Sequence, residues 1–474
     1  MFIEYEKRFD VLNEKPEKIP VELTQAQAIE DLNQCVYLLE TSCAGFIEQR
    51  EKINFQERYN QVLAELKTLP TVKTEYFLMT LLGKLTEGIR DLHSCFFCEI
   101  TDNNQKTAFV RRFTPKTIGY YSKCFFKKKK NQFISVDDSS FVLNGEIVNQ
   151  KTKIVEKSQL YFIPAIHKSK EVYKAAKFFT HSSPEENDFI IEGRKLEFEK
   201  QNFDIEASWK TLQNKYSNSK KNYYFVMPDC SMFWETQKQY HEVLHNYIDG
   251  IRKKKNLIID NRWNCGGVPL NQLKFFIELF GYNTSILDEF VNREIQKDEN
   301  ILEGICLLSN PIVQKEIEIT EKGEDWNYKL RLLDFYKTEL SKLQNGKFRW
   351  SDNDDPEGPW HHLGEKTSYK GRIILLVDSR TASMGEQLYY IITKDFGYKN
   401  VVLVGTNTCG CMSYGNPLKY FLKNSGIEVQ LTSRTDCFST DSFNKEYLEC
   451  RGLIPDYWAT TDSELEETLE CLCK

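Results

Sequence analysis

A serine is well placed for nucleophilic chemistry where a strand turns into a helix, and Ser383 occupies such a place. In G-R-I-I-L-L-V-D-S-R-T-A-S-M-G-E-Q-L-Y-Y-I-I-T-K-D-F (371–396), the apolar run Ile373 to Val377 reads as a buried strand. Asp378 to Ala382 reads as a turn, and Met384, Leu388, Ile391 and Ile392 then fall at helical spacing. At such a junction a hydroxyl stands clear of the sheet, the next backbone N–H is free, and the helix dipole favours negative charge. The plainer reading is that Ser383 caps the helix, with Glu386 completing a capping box.

Acyl transfer needs more than a nucleophile: a base, a group that orients the base, and donors for the oxyanion. His93 fits the base, at the boundary between a helical stretch and the strand-like run Cys95 to Ile100. Gly266 and Gly267 follow the strand Leu257 to Ile259, and a glycine turn lets backbone N–H groups approach a ligand closely. E-C-R-G-L-I-P-D (449–456) offers Glu449 as the orienting carboxylate. The plain alternatives are a surface histidine, a strand-to-helix turn and a surface charge.

A second chemistry is written in H-E-V-L-H (241–245). Two histidines at i and i+4 share a helix face and can bind zinc, with Glu242 as general base. The helix itself argues otherwise. Phe233, Tyr240, Val243, Leu244, Tyr247 and Ile251 give it an apolar face, and it runs directly into a buried strand. That describes a covering helix, with His241 and His245 on its flank and no third ligand in the N-Y-I-D-G-I-R-K-K-K that follows. A zinc metallopeptidase is therefore the weaker alternative. Cys95/Cys98 and Cys409/Cys411 lack a second pair at a finger-like distance.

The elements that must position these residues follow from the whole chain. Its 474 residues suggest two or three domains, and 41% hydrophobic with 28% charged residues suits a globular protein. A net charge of −6 gives no electrostatic case for nucleic acid, and the Lys127 to Lys130 run reads as a solvated loop. No apolar run is long enough to span a membrane, and M-F-I-E-Y-E-K-R-F-D lacks a signal-peptide core, so a cytoplasmic location is expected. The fourteen cysteines read as reduced, buried small hydrophobes.

Residues 1–22 read as an arm. Residues 23–99 read as a helical domain ending at His93, with Ala28, Leu32, Val36, Leu39 and Phe46 on one face and Tyr76, Met79, Leu82, Leu85 and Ile89 on another. Residues 100–221 form a β-rich middle segment. From 222 onward, strands near 222–227, 256–259, 373–377 and 401–404 alternate with helices, interrupted by a helical insertion at about 281–370. Strands near 418–422 and 427–432 and a last helix at 462–472 follow. This alternation implies an α/β layer with a partly parallel sheet.

Over residues 222–474 the chain resembles the tail-specific (C-terminal processing) and tricorn-like serine peptidases. The motifs are I-I-D-N-R-W-N-C-G-G (258–267), S-R-T-A-S-M-G-E (379–386), G-T-N-T-C-G (405–410) and E-C-R-G-L-I-P-D, in the family's order. The resemblance implies a crotonase-like (ClpP-type) catalytic core of mixed sheet and helix, beside the helical domain and the β-rich segment. The serine–lysine version of the family has a lysine where this chain has Cys411. The tricorn-like version uses histidine, serine and glutamate, which assigns His93 as base, Ser383 as nucleophile and Glu449 as orienter. By the same resemblance Met384 and Gly266 supply the oxyanion N–H groups, and Ser94 matches a polar position of the site. No cofactor is implied. The substrate expected is a peptide or unfolded protein, and relatives of this type often assemble into homo-oligomers. Leu92 stands where the family has glycine before its histidine, Cys265 replaces a usual glycine or proline, and no PDZ signature is present in 100–220. These departures motivate a second reading, a non-catalytic peptide-binding relative.

Overall fold

Five strands lie in parallel in the order Asn222–Val226, Asn256–Asp260, Arg372–Val377, Val401–Gly405 and Tyr457–Trp458. The second and third are apolar almost throughout because both faces are covered: Leu257 to Ile259 and Ile373 to Val377 are fully buried. Adjacent residues of a strand point to opposite faces. Tyr224 packs with Leu212 and Tyr216 of the helix Ile205–Tyr216 and with Leu465 and Leu469 of the helix Asp462–Leu472. Its neighbour Phe225 meets Phe275 of the helix Leu270–Phe280, ring centroids 5.2 Å apart. The computed structural model describes residues 18–102, 105–149, 159–180, 184–217, 219–227, 247–267, 270–281, 369–435 and 449–474. These form two compact units, one from 18–115 and 413–435, the other from 116–281, 369–412 and 449–474.

The parallel sheet belongs to the second unit. The first two strands end against a buried ion pair. Asp260 accepts from Arg262 Nη2 at 2.6 Å, from Arg262 Nε at 2.9 Å and from the Tyr224 hydroxyl at 2.8 Å, with neither charged side chain exposed. Asp260 and Arg262 of the I-I-D-N-R stretch thus lock the strand end. The same unit holds a seven-stranded sheet built mainly on Ile118–Lys129, Lys170–Phe179 and Tyr161–His167. Lys127 to Lys130 lie exposed at the hairpin that ends the first of these strands.

The first unit packs helices on a four-stranded antiparallel sheet ordered Tyr414–Phe421, Glu428–Thr435, Cys95–Asp102 and Gln105–Arg112. Thr24 caps the helix Gln25–Ser42 through a capping box with Gln27. Ala28, Leu32, Val36 and Leu39 are buried on its core side, as their spacing predicts, and Phe46 is buried from the next helix, Ala44–Gln49. The second expected face holds at Leu82, Leu85 and Ile89, which are fully buried, but not at its start: Tyr76 is 38% exposed, and Phe77, Leu78 and Leu81 join the buried set. The cause is a π-helical turn over Phe77–Leu82, whose wider spacing rotates the face away from the 3.6-residue pattern.

The helix Asp462–Leu472 matches the expected bounds. Of the expected helix 233–251 only the end from Tyr247 is described, and it is helical. The H-E-V-L-H motif, with His241, Glu242 and His245, lies outside the described residues, as does nearly all of the 281–370 insertion. Among the described residues no helix is long and apolar enough to cross a membrane.

Candidate active site

Asp378, at the end of the strand Arg372–Val377, organises the turn that leads to Ser383. Its Oδ1 accepts the N–H groups of Arg380 at 3.0 Å and Thr381 at 3.1 Å. It also accepts the Trp263 N–H at 3.1 Å, from the loop after the neighbouring strand. Ala382 N then donates to Asn264 O at 2.9 Å, which joins the two loops directly. The chain has to enter the helix Met384–Tyr390 within one residue, and Ser383 absorbs the bend at φ 53°, ψ −126°. A non-glycine residue held there stores roughly 1–3 kcal/mol, sustained only by the structure around it. Its carbonyl takes the N–H groups of Glu386 and Gln387 at 2.8 and 3.0 Å, so the first turn is closed by backbone.

Gly266 is pressed against this serine. A Cβ on Gly266 would lie 2.7 Å from Ser383 Cβ and 2.9 Å from Met384 N, and its φ of +95° is itself glycine territory. Gly266 N donates to Asn264 Oδ1 at 2.9 Å, while Asn264 Nδ2 donates to Asn261 Oδ1 at 2.8 Å. Asn261 Nδ2 in turn donates to Gly385 O at 2.7 Å. Met384 holds the first helical position, where the helix has no acceptor for its N–H.

Glu386 does more than the cap expected of it. Its Oε2 accepts from Ser383 N at 3.2 Å, the reverse half of a capping box, and from Cys411 N at 2.9 Å. Oε1 accepts from Gly410 N at 2.8 Å and from the Thr408 hydroxyl. The side chain is fully buried, and burial pushes its pKa up to about 7 against the pull of those four donors. Glu449 is 4% exposed, not a surface charge, and its turn is joined to the same loop. Cys450 N donates to Gly410 O at 2.7 Å, and Leu453 N to Thr408 Oγ1 at 2.7 Å. Cys411 is buried there. A hydrogen bond with Cys409, then burial, then the nearby carboxylates Glu386 and Glu449 push its thiol well up, which leaves it a poor base or nucleophile.

His93 and Ser94 belong to the other unit. Asp91, a residue the sequence reading passed over, shapes their turn. Its Oδ1 accepts the N–H groups of His93 at 3.0 Å and Ser94 at 3.1 Å. Its Oδ2 accepts the hydroxyls of Ser94 at 2.5 Å and Thr432 at 2.6 Å. The His93 carbonyl accepts Gln430 Nε2 at 2.8 Å, and the imidazole is partly exposed. Ser94 is buried, with its hydroxyl spent on Asp91 and on Thr432 N at 3.2 Å. The signal for Asp91 was in the sequence: an aspartate two residues before the N–H it accepts, here that of His93, is the Asx-turn pattern. Ser383, Met384 and Gly266 are thus brought together, with the Glu449 turn tied to them through Glu386. Among the described residues no group of three or more His, Cys, Asp or Glu side chains could hold a metal ion.

Residues 224–457 match the model of peptidase family S41, and the chain is a serine-type peptidase. A peptide or protein substrate follows from that match. No curated relative matches the sequence. Similar solved structures include mature CPAF, at 14% identity over 95% of this chain and 98% of that one, with a TM-score of 0.42. The tricorn protease is similar at 14% identity over 94% of this chain and 36% of that one, TM-score 0.37. The photosystem II D1 C-terminal processing protease is similar at 13% identity over 53% and 45%, TM-score 0.24.

Proposed function

We propose that the chain cleaves peptide bonds through an acyl-enzyme on Ser383, with His93 as general base and Glu449 as the group that orients its ring. The observation that carries this reading is Ser383 itself, held at φ 53° where a central parallel strand meets a helix, with Gly266 against it. Ser383 Oγ bonds to the scissile carbonyl carbon as its proton passes to His93. The carbonyl oxygen becomes an oxyanion, received by the N–H groups of Met384 and Gly266. Gly266 serves only after Asn264 Oδ1 gives up its hydrogen bond, so the incoming oxygen competes with that side chain. His93 returns the proton to the leaving amine, then activates the water that releases the acid. Asp91 and Ser94 act through the turn that carries His93 and touch no reacting atom. The buried parallel strands with helices on both faces suit a crotonase-like core, and peptides or unfolded segments are the substrates that fit.

Ser383→Ala and His93→Ala should each lower kcat/KM for a peptide substrate by on the order of 10³-fold or more while unfolding normally in urea. Chelators should leave the wild-type rate untouched. Activity that survives Ser383→Ala, or that a chelator removes, overturns the proposal.

A further inference from the structure

Beside the candidate nucleophile, the same two loops present a pair of side chains that the chemistry above does not use. Trp263 is 42% exposed although it is among the largest apolar side chains of the protein. Its backbone is held at φ 69°, a conformation that a bulky residue adopts only when the surroundings impose it. The exposed guanidinium of Arg380 lies over its indole, with Cζ 4.3 Å from the ring centroid. Arg380 has no carboxylate partner among the described residues. One buried carboxylate, Asp378, fixes the backbone N–H groups of both residues at 3.1 and 3.0 Å. Trp263 precedes Gly266 by three residues and Arg380 precedes Ser383 by three, on loops that leave the same ends of adjacent parallel strands.

We propose that Arg380, stacked on Trp263, is a specificity-determining residue that receives a carboxylate of the peptide substrate beside Ser383. Stacking on an indole fixes the guanidinium plane yet leaves its N–H edge free, and that edge matches a carboxylate bidentately. The remaining exposed indole offers an apolar surface to the residue that bears the carboxylate. A left-handed Trp263 costs stability, and a fixed platform is what that strain maintains. The carboxylate has two sources, the substrate's chain terminus or an acidic side chain, and the test separates them. This inference rests on Ser383 being the nucleophile.

The test uses matched peptides: free acid against C-terminal amide, and Glu against Gln at positions flanking the cleaved bond. The wild type should favour the carboxylate member of one pair by about tenfold in kcat/KM, and Arg380→Ala should bring that ratio close to unity. Trp263→Ala should lower the ratio in the same pair, and Arg380→Lys should restore it only in part. The pair that responds names the source. Equal ratios in wild type and Arg380→Ala overturn the inference. Fluorophosphonate labelling of Ser383 checks that each variant keeps its nucleophile. Should the wild type cleave no peptide, the reading of Ser383 fails separately. Fluorescence anisotropy of the same labelled peptides on full-length Ser383→Ala, with and without Arg380→Ala, then decides the inference: a carboxylate preference lost with Arg380 supports it, and no preference overturns it.

Discussion

Gly266→Ala tests whether the two loops really form one site. The added methyl would stand 2.7 Å from Ser383 Cβ and 2.9 Å from Met384 N, closer than real contacts come, and a tight 3.0 Å from Ala382 O. Two of those three atoms are backbone, so no side chain can swing aside. An L-residue at φ +95° adds about 1–2 kcal/mol of strain. Forcing extra volume into a packed site adds typically 1–3 kcal/mol, so the variant should lose roughly 2–5 kcal/mol against urea. The larger effect is on chemistry. Relief of the clash moves the Ser383 turn by on the order of 1 Å, and such a displacement costs about 10²-fold in rate. The assay is the second-order rate of fluorophosphonate labelling at Ser383, read beside peptide hydrolysis. Gly193→Ala is the control, since Gly193 also has positive φ, +76°, but nothing within 4 Å of its would-be Cβ. It should cost about 1–2 kcal/mol and leave labelling alone. A Gly266→Ala protein that labels at the wild-type rate would refute the close approach on which the site is built.

Three further outcomes follow. Glu386 has a pKa near 7 in the folded chain against an ordinary 4.5, so between those values the native state keeps a proton that the unfolded chain gives up. Its contribution is fully present below about pH 4.5 and declines as the pH rises to about 7, by roughly 3 kcal/mol at most. Glu386→Gln should flatten that part of the profile, read from urea midpoints at pH 5 and 7.5; an unchanged slope would count against it. Asp91→Asn sets an amide NH2 against donors that Asp91 now accepts, so it should cost about 1–3 kcal/mol and lower kcat more than it raises KM, in steady-state kinetics. Arg262→Met strands the buried Asp260 carboxylate and should cost about 3–5 kcal/mol in urea unfolding, whereas changing Asp260 and Arg262 together to apolar residues should cost less.

The parallel strands were legible because burial on both faces leaves a continuous apolar run, as at Ile373 to Val377. Which strands pair was not. Cys95–Asp102 lies beside Glu428–Thr435, and nothing in either pattern names a partner more than 300 residues away. The π-turn at Phe77–Leu82 was invisible for a related reason: hydrophobic spacing assumes 3.6 residues per turn. At the site, the residue types of Ser383, Gly266 and Glu449 were readable, but their conformations were not. No rule announces a serine at φ 53°, because tertiary contacts from Asp378 and Asn264 impose it. Glu386 was read as a local cap because it sits three residues from Ser383; its bonds to Thr408, Gly410 and Cys411 are long-range and leave no local trace.

The central claim is that Ser383 is the nucleophile and His93 its base. Intact-mass and peptide-mapping measurement of fluorophosphonate labelling tests it most directly, on wild type, Ser383→Ala and His93→Ala. One adduct per chain on the peptide containing Ser383 is predicted, absent in Ser383→Ala and slowed by on the order of 10³-fold in His93→Ala. An adduct elsewhere, no adduct on a chain that still cleaves peptides, or undiminished labelling in His93→Ala would contradict it.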